Sequence, residues 1–125
     1  LDEAELLYQH EHFEGAYYLG GYAIEFALKA VICKKLDIEM FDKPVVPGNL
    51  LKAFLIHDLY NLAILGGLKN ELESMIKTDG IFAQNWSIVS EWSEQRRYDS
   101  GCNSQTVRKF LNSVKNILQW IKHSW

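Results

Sequence analysis

Three places in this 125-residue sequence combine side chains that could do chemistry. Glu25 stands in an apolar run, flanked by Tyr22, Ala23, Ile24, Phe26, Ala27 and Leu28. A carboxylate taken out of water without a partner is costly, so Glu25 must meet a cation or a solvated cleft. Lys29, one helical turn later, is one candidate, and Arg97 arriving from a distant loop is the other. The second place is His57-Asp58, a titratable pair beside apolar residues. Its carboxylate could cap a helix start and its imidazole could act as a general base; a cap with a satisfied histidine is the structural alternative. The third is EWSEQRRYDSG, where Trp92, Arg96, Arg97 and Tyr98 bring together rings and guanidinium groups. Arginine forks bind phosphate or carboxylate and aromatic rings stack on bases, although a core tryptophan and a salt-bridged arginine would use the same residues structurally.

Other candidates point away from chemistry. His10 and His12 are two apart on an expected helix and face different directions, so no metal site is expected. No nucleophile elbow occurs and no glycine-rich phosphate loop follows a strand, so no cofactor is expected. Trp120 and Trp125 read as packing or interface residues.

The elements that must position these residues read as helices. Residues 1 to about 12 form a short helix opened by Asp2 and Glu3, acids that suit a first turn. A long helix follows from Phe13 to about Leu36, free of proline, with the small residues Ala16, Gly20, Ala23, Ala27 and Ala30 along one seam. Tyr18, Tyr22 and Phe26 recur every four residues beside that seam. Pro44, Pro47 and Gly48 mark the stretch from Asp37 to Asn49 as the longest loop. Asn49 is placed to cap a helix carrying Leu51, Leu55, Leu59 and Leu62, continuous through His57 or restarting there, that ends at Gly66-Gly67.

Leu68, Leu72, Met75 and Ile76 then give a short helix stopped at Asp79-Gly80. Ile81, Phe82, Trp86, Ile88, Val89 and Trp92 give another, to about Ser93, followed by a loop over 94–103. Ser104 reads as the N-cap of a final helix. Val107, Phe110, Leu111, Val114, Ile117, Leu118 and Ile121 line its inner face, with Arg108, Lys109, Lys115 and Lys122 outside. No alternating run suggests a sheet. The expected fold is therefore all-α, an antiparallel bundle forming one domain over residues 1–125.

Composition is globular, with 48% hydrophobic, 13% aromatic and 23% charged residues. A net charge of −3 supplies no global basic field, so contact with nucleic acid would have to be local. Cys33 and Cys102 stand singly, which fits a reducing, cytoplasmic setting. Residues 15–33 are apolar, but Glu25 and Lys29 in their midst make a membrane span costly. The start lacks a basic leader region and the first residue is Leu, so the sequence is expected to begin after a preceding N-terminal stretch.

The segments FEGAYYLGGYAIEFALKAVI, HDLYNL and NWSIVSEWSEQRRY, with a closing helix ending in QWI, together resemble the HEPN domain family across nearly the whole chain. That resemblance implies an up-and-down bundle of four to five helices that forms a homodimer and sets polar loop residues at a cleft between protomers. It also implies a biology of nucleotide or RNA handling in toxin-antitoxin and defence systems, often beside a nucleotidyltransferase partner. The family's ribonucleases carry an arginine followed shortly by a histidine. Here Arg96 and Arg97 are followed by Tyr98, Asp99, Ser100, Gly101, Cys102 and Asn103, and the next histidine is His123. The resemblance is thus to a branch without that motif, with Glu25, His57, Asp58, Trp92, Arg97 and Tyr98 at its patterned positions.

Three functions are expected in competition. The first is a non-catalytic domain binding RNA, a nucleotide or a partner protein, with Arg97 meeting Glu25 or Asp58. The second is a metal-independent ribonuclease in which Arg97 stabilises the transition state and His57 replaces the missing base. The third is an interaction scaffold whose polar clusters are all structural.

Overall fold

The computed structural model describes residues 1–42, 58–92 and 103–124. The described residues form six helices and no strand: α1 (Asp2–Gln9), α2 (Phe13–Asp42), α3 (Leu59–Leu65), α4 (Lys69–Thr78), α5 (Gly80–Ser90) and α6 (Ser104–Lys122). None of them is long and apolar enough to cross a membrane.

At 30 residues α2 runs past the end expected near Leu36. Residues 37–42 contain neither glycine nor proline, so nothing in them stops propagation. The first strong stop is Pro44, whose ring disfavours helical geometry at the residue before it. The long loop expected from Asp37 therefore starts later than expected, and its remainder and the Asn49 cap lie outside the described residues.

Side-chain caps fix three helix starts. Asp58 accepts from the Asn61 N–H at 2.9 Å and opens α3. Asp79 accepts from the N–H groups of Ile81 and Phe82 at 3.0 and 3.1 Å, so Asp79-Gly80 both ends α4 and starts α5. Asn103, not Ser104, caps α6, accepting from the Thr106 N–H at 2.9 Å. Asparagine caps at least as well as serine, and Ser104 becomes the first helical residue, its hydroxyl 3.0 Å from that of Tyr8. Gly67, at φ 76°, makes the left-handed turn after α3 that a side chain would resist.

The core lies chiefly between α2 and α6, where Ile24, Leu28 and Val31 of the one and Leu111, Val114 and Ile117 of the other are buried. All seven residues assigned to the inner face of α6 are buried. α1 and α5 run against α6: Glu5 lies opposite Arg108 and Tyr8 opposite Ser104, while Phe82 meets Trp120 and Asn85 meets Ser113. α2 runs with α6, since Tyr17 stacks on Phe110 and Ala27 shares a groove with Leu118. The small-residue seam of α2 is buried at Ala16, Gly20 and Ala27, half-buried at Ala23 and exposed at Ala30. Ile81, counted in the apolar run of α5, is 75% exposed.

Arg108 is only partly on the outside, its side chain 34% exposed. Its guanidinium clasps the Glu5 carboxylate with both terminal nitrogens, one of them at 3.0 Å, and lies 4.6 Å from the centre of the Tyr8 ring. Lys115 adds a second cation 3.6 Å from Glu5. The hydrogen bond from Arg108 holds the Glu5 carboxyl below its ordinary value, and the charges of Arg108 and Lys115 act in the same direction against the effect of burial. The folded-state value is the lower one, so the stabilisation is complete above the unfolded value of 4.5 and is lost as pH falls through the folded value. Melting temperature should accordingly fall as the medium is acidified below pH 4.5, and Glu5→Gln should flatten that part of the curve. An identical acid limb in Glu5→Gln would assign the loss to other carboxylates.

Candidate functional site

Glu25 is 1% exposed on the inner side of α2. Lys29 donates to its Oε2 at 3.1 Å, closing an i,i+4 ion pair within the helix. Of the two cations weighed for this carboxylate, the local one is in place. Arg97, with His57, Arg96 and Tyr98, lies outside the described residues. Asp58 is exposed and occupied as the α3 cap.

Trp92, just beyond α5, is 3% exposed and lies on α2 over Gly21. A Cβ built on Gly21 would stand 1.9 Å from an indole ring carbon, so the ring rests directly on the helix backbone. Glu25 follows Gly21 by one turn, so the two sequence-selected residues lie along the same stretch of α2. The indole N–H of Trp92 is buried with no hydrogen-bond partner among the described residues.

Around the indole runs an aromatic ladder. Tyr22 meets Trp92 edge-on, with ring centres 5.3 Å apart, and Tyr18 lies 6.2 Å from it. The Tyr18 and Tyr22 hydroxyls are 3.3 Å apart. Phe26 stacks on Tyr22 at 5.4 Å with ring planes 24° apart, and it is 61% exposed. The ladder thus passes from a buried indole to a phenyl ring in water. That arrangement can present a stacking face, whereas the buried Glu25 is placed to hold the helix and not to reach a solvent-borne substrate.

Sequence reasoning missed the part played by Gly21. The signal was present, because a glycine inside a long helix costs about 1 kcal/mol relative to alanine and calls for a packing reason. It also missed Glu5–Arg108, whose partners are 103 positions apart. Among the described residues no three His, Cys, Asp or Glu side chains cluster to hold a metal ion. Cys33 is a partly buried free thiol, and Cys102 lies outside the described residues.

No family model matches the chain, and no curated protein or solved structure matches it significantly.

Proposed function

We propose that this chain is a HEPN-like, cytoplasmic, homodimeric domain that binds RNA or a nucleotide without cleaving it, in a toxin-antitoxin or defence-type system with a nucleotidyltransferase partner. The observation that carries this reading is the aromatic ladder on α2 that runs from buried Trp92, packed on Gly21, to the exposed ring of Phe26. The opposed directions of α1 and α2, and of α5 and α6, support an up-and-down bundle as its architecture. In this reading Glu25 braces α2 while the exposed ring of Phe26 offers a face to a base.

Fluorescence anisotropy with a labelled single-stranded RNA tests it. Stacking of one base is worth about 1–3 kcal/mol, so Phe26→Ala should weaken binding on the order of tenfold or more while the RNA stays full length on a gel. Saturable binding that Phe26→Ala leaves unchanged would remove the ladder from the site, and no binding by the parent protein would leave the scaffold reading. RNA cut by the parent but not by Arg97→Ala or His57→Ala would replace binding with catalysis. Light scattering showing a monomer at every concentration would overturn the homodimer.

A further inference from the structure

The first helix is tied to the bundle by little buried apolar surface. Within α1 only Ala4 is buried, while Leu7 and Tyr8 are partly buried against the core and Leu6 is 55% exposed. The helix straddles α2 and α6: Leu7 lies over Gly15 near one end, and Asp2 at the other borders a depression together with Ala23, Ala27 and Leu118.

Its ties across to α6 are polar. Glu5 sits in the fork of Arg108 with Lys115 at 3.6 Å, and the Tyr8 hydroxyl is 3.0 Å from that of Ser104. The Glu5 and Arg108 side chains are 20% and 34% exposed, so dissolved salt reaches and screens the pair.

Docking also carries two costs. Arg108 Nε is buried with no hydrogen-bond partner among the described residues, so the closed helix withholds from water a donor that it does not satisfy. Glu11, in the turn that joins α1 to α2, has φ 63°, left-handed backbone that a residue other than glycine adopts only with strain. Release of α1 relieves both. Once released, α1 cannot persist as a helix, because its eight residues fall short of the roughly 12–15 that an isolated helix needs in water. Undocking and melting are therefore one event.

We propose that α1 is a latch, closed on α2 and α6 by the Glu5–Arg108–Lys115 cluster, that opens as a unit about the Glu11 turn for less free energy than global unfolding. Opening removes the α1 wall from the depression beside Phe26, leaving a wider groove between α2 and α6 that is floored by Ala23, Ala27 and Leu118. Ionic strength moves the latch, and the device holds whatever Phe26 binds.

Native-state hydrogen exchange of the intact chain, read by mass spectrometry, tests it. Amides of α1 should exchange at least tenfold faster than the slowest amides of α6, and low concentrations of urea should speed α6 steeply but α1 little, because a local opening exposes less surface than global unfolding. Val89→Ala, which weakens the core on α5 outside the latch, should likewise speed α6 and leave α1 unchanged. Glu5→Gln should speed α1 on the order of tenfold, the scale of a hydrogen bond between charged groups. Raising ionic strength from about 0.01 M to 1 M, which shrinks the Debye length from about 30 Å to 3 Å, should speed it several-fold. Exchange of α1 at the rate of α6, with the same response to urea and to Val89→Ala, would show that α1 opens only with the whole domain and would overturn the latch. Fast exchange of α1 that neither Glu5→Gln nor salt alters would reduce it to fraying and overturn the proposal equally.

Discussion

Gly21→Ala is expected to destabilise the protein by about 3 kcal/mol, at the upper end of what overpacking a core by one methyl group costs. The direction is not obvious from helix propensity, which favours alanine over glycine by about 1 kcal/mol in a helix interior. Packing decides it. The new methyl group would fall 1.9 Å from one ring carbon of Trp92 and 2.2 Å from both another ring carbon and the indole nitrogen. Those atoms belong to a rigid bicyclic ring that is 3% exposed, so relief requires the whole indole to leave α2 or the helix to shift. In a domain of this size the loss corresponds to a fall in melting temperature on the order of 10 °C.

A double-substitution cycle gives the mechanism its own readout. Trp92→Ala alone should cost about 3–5 kcal/mol through the cavity it leaves. With the indole gone, the Gly21→Ala penalty should vanish or turn into the small gain that propensity supplies, a coupling expected only of residues in contact. Equal penalties for Gly21→Ala with and without Trp92 would show that the indole does not rest on the glycine.

The same contrast between local and distant causes explains what could be read from the sequence. The inner face of α6 was legible because each of Val107, Phe110, Leu111, Val114, Ile117, Leu118 and Ile121 obeys one helical period, and burial follows the period. The Glu25–Lys29 pair was legible as one of two options for a similar reason: residues four apart on a helix are neighbours whatever the rest of the chain does. The partner of Arg108 was not legible because periodicity assigns a face to the α-carbon, whereas a long side chain can reach across to a neighbouring helix and set its head against Glu5. The α6 cap moved by one residue because Asn103 and Ser104 are both good caps, and the choice rests on where the Ser104 hydroxyl finds Tyr8.

For the candidate site, types were legible and placement was not. Glu25 and Trp92 could be selected as unusual, but no pattern in the sequence says that an indole from the end of α5 settles on a glycine of α2.

Glu25→Ala is expected to cost about 3 kcal/mol, because breaking a buried ion pair costs roughly 3–5 kcal/mol and Lys29 retains some access to water. At 11% exposure its ammonium group can extend toward solvent and recover part of its hydration, which holds the loss to the lower end of that range. Lys29→Ala takes a cation from a carboxylate in a drier place, since Glu25 is only 1% exposed and its shorter side chain has less reach to water. Lys29→Ala should therefore also destabilise the protein. Glu25→Gln, which keeps the shape and a hydrogen-bonding oxygen, should lose less than either. Chemical denaturation of the three variants gives the order directly. A Glu25→Ala variant as stable as the parent would mean that the carboxylate sits in water, and α2 would then lack the internal brace on which the presentation of Phe26 depends.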